Sequence, residues 1–386
     1  MATVSIIIGA NYGDEGKGQT VHDLSTRDTC VVRFNGGAQA GHTVVHHGSS
    51  NIFHQMGSGT YRGVATYLGP DVIVNPSVFV TENNKFPQAT MIMDKRCRVT
   101  TYPDMVINQL VEADRAGKRH GSCGMGIHET IVRHKKCPLV VDNIGQDDIM
   151  EIVLHIWKHV GPARLNELGC SHLIPEYFAE LTEPIIRASV YEMIFMYNTA
   201  VKVDGMTELF SMFGNFVFEG AQGLLLSERN MHWFPHLTPS DTGATNAMKM
   251  LAAVEDQSLI ESCDVIYVTR PYLTRHGAGP LPFEIGTEPL YNAVDATNIP
   301  NEWQGSIRYA PLNFDLLREY VNGDFFRCHR DVQGHIMVSC MDHLDDHVHI
   351  INYGERWYMS PDSMYRDLCQ VFSHMKVHKR YQVGNI

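Results

Sequence analysis

Residues 9–23 read GANYGDEGKGQTVHD and run on from the apolar stretch TVSIIIGA. A short buried strand, a glycine-rich turn and the start of a helix together aim backbone N–H groups and a helix N-terminus at one point, which is how a chain holds phosphate. The ordinary form of such a loop ends Gly-Lys-Ser/Thr, and its hydroxyl takes Mg²⁺. Here Gly16-Lys17 is followed by Gly18, so that hydroxyl is missing, and Asp14-Glu15 stands inside the loop. A carboxylate where a polyanion should lie needs a chemical reason.

The rest of the composition narrows the setting. With 386 residues, 44% hydrophobic and 19% charged, the chain has ample material for a core. A net charge of −12 disfavours broad contact with nucleic acid, although a local basic patch can still serve small anions. No apolar run reaches the length of a membrane span, and MATVSIIIGA lacks the charged flank and cleavage pattern of a signal peptide, so no membrane partner and a cytoplasmic address are expected. The nine cysteines are scattered with no CxxC pair and read as reduced thiols. The 21 histidines include His46-His47 and the run DHLDDHVHI, but none has HExxH spacing, and they read as surface and loop residues.

Short β-rich runs recur as VSIIIGA, TCVVRF, DVIVNPS, PLVVDNI, NFVFEGA, CDVIYVTR and HIMVSCM, with helical segments such as DMVINQLVEADRAG and YEMIFMYNTAVKVDGM between them. Alternating strands and helices predict an α/β fold: a P-loop-like nucleotide-binding fold with a largely parallel central sheet flanked by helices. No repeat or linker divides the chain, and a single domain over 1–386 is expected. Ligands in such folds gather beyond the carboxyl ends of the strands. Four more glycine loops fall there: NGGAQAGHT (35–43), RHGSCGMGIH (119–128), EGAQGLLL (219–226) and TRHGAGPLP (274–282). Together with the opening loop they predict one large site for an anionic or multi-part ligand.

The set GDEGKG, NGG…AGHTV, FEGAQG and TRHGAGPLP, supported by FHQMGSGTYRG, DVIVNPSVF and FPHLTPSDT, resembles the adenylosuccinate synthetase family in order over most of the chain. That family joins aspartate to C6 of a 6-oxopurine nucleotide at the expense of a nucleoside triphosphate. The resemblance implies that Asp14 removes the N1 proton while the γ-phosphoryl group moves to the 6-oxygen, and that Asp14 also lies on Mg²⁺ with the backbone carbonyl of Gly41. The carboxylate then belongs in the loop, because the cation offsets its repulsion from the triphosphate. By the same resemblance His42 donates to the transferring phosphate, and Lys17 is a point charge on the triphosphate. Gly16 and Gly18 let the backbone approach. Gly13, Glu15, Thr43 and Gly277 are carried over as further nucleotide contacts, and Gln222 as a base-facing residue.

Gln39, Cys123 and Thr238 match the family's contacts to the substrate phosphate, although asparagine and threonine are usual at the first two. Cysteine is a poor donor, and Ser122 beside it can compensate. Arg133 resembles an arginine that reaches across a dimer interface, so a homodimer is expected. The aspartate loop reads QGSIRYAPLNFD, leaving Arg308 to grip substrate carboxylates with Ser306 where another arginine is usual. In VSCMDHLDD, Cys340 stands at the position of a base-packing lysine while Asp342 is kept, so either ATP or GTP can serve as donor. His276 replaces a small aliphatic residue, and both it and Ser306 flank the substrate ribose in the family arrangement. These departures resemble the phage branch that acts on dGMP to supply 2-aminoadenine. An ordinary IMP- and GTP-using enzyme, and a nucleotide-binding regulator without turnover, are the alternatives.

Overall fold

The strand ahead of the opening loop is buried on both faces: Val4, Ile6, Ile7 and Ile8 are each at most 1% exposed. A strand apolar on both faces belongs in the middle of a parallel sheet. The computed structural model describes residues 1–116, 119–285, 306–328 and 331–381. Its central sheet has nine strands, here numbered in chain order: β1 (Ala2–Gly9), β2 (Thr29–Arg33), β3 (Ala65–Leu68), β4 (Met91–Asp94), β5 (Val201–Val203), β6 (Asn215–Gly223), β7 (Ile260–Thr269), β8 (Gln333–Val338) and β9 (Lys376–Lys379). Their spatial order is 9-8-7-1-6-2-3-4-5, and every neighbouring pair is parallel. The expected fold class is therefore observed.

The order places the late strands β6 and β7 on either side of β1, so β2 is one strand removed from it. The loops after β1, β2, β6, β7, β8 and β9 all leave the same edge of the sheet. One apolar core packs around β1, β6, β7 and β8 together with the helix Phe314–Phe325. A second lies under the helices Pro76–Lys85, Tyr102–Asp114 and Glu183–Thr199, against β3 and β4. A smaller four-stranded sheet pairs Tyr272–Arg275 with Arg308–Asn313 and adds Val348–Asn352 and Glu355–Met359. Among the described residues no helix is long and apolar enough to cross a membrane.

Three local expectations are corrected. DVIVNPS supplies only the two-residue strand Ile73–Val74, because Asn75 caps the helix that Pro76 opens, accepting the Val78 N–H at 3.3 Å. PLVVDNI is a bridge and then the short helix Val141–Ile144, since the Asn143 side chain takes the Val140 N–H and turns the chain. YEMIFMYNTAVKVDGM is helical only to Thr199, after which Val201–Val203 adds to the sheet edge.

Candidate nucleotide site

β1 ends at Gly9, and the loop beyond it folds back on itself. Gly13, at φ 105°, packs so closely on Gln222 that a Cβ there would stand 2.8 Å from the Gln222 Cα. The Lys17 ammonium donates to the Gly13 carbonyl at 2.7 Å and lies 3.6 Å from the Glu15 carboxylate, which accepts the Gly13 N–H at 2.6 Å. Burial pushes the Glu15 carboxyl above its ordinary range, against the pull of Lys17. Gly16, in the left-handed region, caps the helix α1 (Lys17–Leu24). Gly18 packs 3.0 Å, measured from its would-be Cβ, from the Cβ of His42, the Ser58 hydroxyl and the Thr43 carbonyl.

The second half of the site comes from β2 and β6. The register of β1 against β6 slips between Ile7–Glu219 and Gly9–Gly223, so Gly220, Ala221 and Gln222 bulge outward, with Gln222 at φ 65°. Asn35 fixes this bulge: its amide accepts from Ala221 N at 2.8 Å and donates to the Ala221 carbonyl at 3.3 Å and the Asp241 carbonyl at 3.1 Å. Just before the bulge, Glu219 is fully buried. It accepts hydrogen bonds from His42 Nδ1, the Ser58 hydroxyl and, at 3.0 Å, the Ser58 N–H. Burial lowers the His42 imidazole to about 4, against the attraction of Glu219. Burial also works to raise the Glu219 carboxyl, but His42, Arg33 and Ser58 outweigh it and hold it at about 2. The pair is thus a neutral imidazole donating to a carboxylate. The outer nitrogen, His42 Nε2, is buried with no hydrogen-bond partner.

Asp14 remains 31% exposed and pairs with the buried Arg270 at 3.0 Å, just beyond β7. Its carbonyl accepts from the Thr274 hydroxyl at 3.3 Å. The loop 38–41 is pinned by His54, whose Nδ1 lies 3.0 Å from the Ala38 carbonyl and 3.1 Å from that of Ala40, leaving Gly41 exposed. Gln39 nearby is half-buried, its amide oxygen without a partner.

A second group of loops adjoins the first through Tyr12. The Tyr12 hydroxyl donates to the Pro280 carbonyl at 3.3 Å, and the guanidinium of buried Arg275 lies 4.8 Å over its ring. Arg275 also donates to the carbonyls of Pro280 (2.8 Å) and His236 (3.1 Å). Gly121 packs against Gly277 and Ala278, and His236 Nδ1 lies 3.4 Å from the His120 carbonyl. This brings the loops of Ser122, Cys123, His276 and Gly277 together. Ser122 donates to Asn108 at 2.9 Å, and burial raises the Cys123 thiol. Thr238 is half-buried, its N–H bonded to the Leu226 carbonyl at 2.9 Å. Ser306 is exposed; the two loop residues before it lie outside the described residues.

Two expected residues stand differently. Arg133 is only 4% exposed and wholly engaged within its own chain: with Asp104 at 2.9 and 3.0 Å, the Cys137 carbonyl at 3.0 Å and the Val99 carbonyl at 2.6 Å. Arg308 is in place beside the second group, donating to the Gly277 and Gly279 carbonyls at 3.0 and 2.9 Å. Its fork is taken by Glu284, at 2.8 and 2.5 Å. Asp342 is exposed just beyond the Cys340 turn.

The residues present fit a nucleoside triphosphate with its Mg²⁺: an orphaned buried imidazole nitrogen, an accessible carboxylate and a loop whose glycines leave no room for side chains. The adenylosuccinate synthetase family model matches residues 6–302. This chain belongs to the adenylosuccinate synthetase family. Family relatives include the adenylosuccinate synthetases of Coxiella burnetii (strain CbuG_Q212), 28% identical over 301 residues, and of Thermoplasma volcanium, 26% over 307. These matches cover 73% and 76% of this chain and 65% and 66% of those enzymes, so the chain spans just under two thirds of the curated relatives it matches. The fully ligated Plasmodium falciparum adenylosuccinate synthetase shares the fold with a TM-score of 0.71 at 17% identity, covering 97% of this chain and 96% of that one. A cyanophage S-2L succinoaminodeoxyadenylate synthetase, solved with dGMP and dATP, does so with a TM-score of 0.61 at 14% identity, covering 98% and 91%.

Sequence reasoning passed over Glu219, Ser58, Arg270, Arg275 and Asn35. Glu219 stands in the quoted FEGAQG and Arg275 in TRHGAGPLP, but only the fold shows what each touches.

Proposed function

We propose that this member of the family joins L-aspartate to C6 of a 6-oxopurine nucleotide, using ATP or GTP, and that its preferred nucleotide is dGMP. The observation that carries the ligase reading is His42, held by buried Glu219 with Nε2 unpartnered, at the same sheet edge as the accessible carboxylate of Asp14. Asp14 takes the proton from N1 as the 6-oxygen attacks the γ-phosphorus and the bond to the donor diphosphate breaks. Lys17 and His42 hold the charge that grows on the transferring group. Mg²⁺, held by Asp14 and the Gly41 carbonyl, supplies charge neutralisation of the phosphates when bound. The amine of aspartate then attacks C6 and inorganic phosphate leaves, with Arg308 holding a substrate carboxylate.

Gln39, Ser122, Cys123 and Thr238 are the proposed contacts to the acceptor phosphate, and Gln222, on its bulge, to the base. The preference for dGMP over IMP rests on His276 and Ser306, which replace a small aliphatic residue and an arginine where the family flanks the ribose. A homodimer is proposed with this reading, on the resemblance alone.

The test is phosphate release and product mass with Mg²⁺ and aspartate, crossing dGMP, GMP and IMP against ATP and GTP. Product from dGMP with little from IMP is expected. Turnover of IMP with GTP alone would make this an ordinary adenylosuccinate synthetase. No turnover with any pair would overturn the ligase reading.

A further inference from the structure

Arg380 follows β9, at the far edge of the sheet, yet its side chain reaches the opening loop. Its backbone is fixed on the end of β8 and the turn after it: the N–H donates to the Val338 carbonyl at 2.8 Å, and its carbonyl accepts from Met341 N at 3.2 Å. The guanidinium donates through Nη2 to the Gly16 carbonyl at 3.0 Å and through Nη1 to the Thr20 hydroxyl at 2.7 Å, with Asp23 at 3.5 Å. The side chain is 15% exposed, and its Nε is buried with no hydrogen-bond partner. A methyl group on Gly16 would stand 2.9 Å from Nη2, so the bare glycine makes room for the guanidinium.

Two further observations place this group at a seam. The Ser339 hydroxyl donates to the Glu15 carbonyl at 2.7 Å, tying the end of β8 to the same loop. Next comes Cys340, 1% exposed in a left-handed turn, where the resemblance expects a lysine. A buried thiol brings no positive charge. The stretch 9–18 holds two carboxylates, Asp14 and Glu15, against the single cation Lys17. Arg270 is already paired with Asp14 from the β7 side, and Arg380 adds a planar, permanently charged group on the other side, at the Gly16–Thr20 turn.

We propose that Arg380 is a donor-nucleotide residue, binding the triphosphate donor between the opening loop and the Cys340 turn and doing the work of the lysine absent from position 340. This rests on the reading of the opening loop as the donor site. The test is equilibrium binding by calorimetry of Mg·ATP and, separately, dGMP to the whole protein and to Arg380→Met and Arg380→Lys, with each variant's melting temperature measured. Arg380→Met should weaken Mg·ATP roughly 10–100-fold, the size of a charge-assisted hydrogen bond, and leave dGMP affinity within about twofold. Arg380→Lys should recover part of the loss. Unchanged Mg·ATP affinity in Arg380→Met overturns the inference. So does equal loss of both nucleotides with a fall in melting temperature, which marks a structural strut. Because binding needs no turnover, a protein that ligates nothing can still pass this test, and a working ligase can fail it.

Discussion

His42 donates through Nδ1 to a carboxylate, Glu219, that is itself fully buried and held by both the hydroxyl and the N–H of Ser58. The acceptor cannot swing away, so the imidazole plane is fixed and Nε2 is aimed outward. Replacing Glu219 by Gln removes the charge while keeping the size. We expect kcat to fall on the order of 10²–10⁴-fold, as when an orienting carboxylate is neutralised in other enzymes, with KM for the acceptor nucleotide within about twofold. Steady-state kinetics beside a melting curve check this. A kcat within threefold of wild type would reduce Glu219 to a packing residue.

The same pair sets a pH response of stability. The unfolded histidine titrates near its ordinary 6.5 and the folded His42 near 4, so the unfolded chain binds more protons between those values. Stability is whole above pH 6.5 and is lost as pH falls towards 4. Glu219, held at about 2, adds a loss in the same direction below its ordinary 4.5. Between pH 7 and 5 the melting temperature of His42→Gln should therefore fall less than that of wild type, by roughly 1 °C for each kcal/mol involved in a chain of this size. Parallel slopes would mean that His42 is not neutral in the folded protein.

Arg308 already grips a carboxylate, that of Glu284, which substrate aspartate must displace on the proposed reading. The pair is partly exposed and so is worth at most about 1 kcal/mol. Glu284→Gln should lower KM for aspartate roughly two- to fivefold at nearly constant kcat, measured with both nucleotides saturating. A raised KM would show that Glu284 orients Arg308 instead of competing for it.

Arg133 and Asp104 form a buried ion pair, 4% and 3% exposed. Removing one partner strands the other charge away from water. Arg133→Met should cost about 3–5 kcal/mol of stability and leave KM for the acceptor nucleotide unchanged below the melting transition. Intact stability with a raised KM would instead favour the cross-interface role.

The opening loop was legible because glycines, one lysine and a preceding apolar strand have few other uses together, and the sheet because buried parallel strands are continuously apolar. The short strands β3, β4, β5 and β9 were not. Ala65–Leu68 and Met91–Asp94 are four residues each, and their burial comes from neighbours that no local pattern reveals. The same physics hid the partners of legible residues. His42 meets Glu219 across 177 positions and Gly16 meets Arg380 across 364, contacts made by strand order alone. The Asp104 partner of Arg133 was hidden for the same reason, since an arginine in a helix looks alike in sequence whether its fork faces solvent or a buried carboxylate.

The crossing order of the sheet also governs when the site can exist. β1 precedes the other strands of the sheet in the chain, but its sheet neighbours are β6 and β7, and the opening loop is buttressed by Ser339 and Arg380 near the other end of the described chain. Contacts so distant in sequence form late, because loop closure must be completed before they hold. A partly made chain would carry the loop's glycines without the walls that shape them. The geometry of the opening loop is therefore a property of the finished fold, set by residues more than 300 positions away from it.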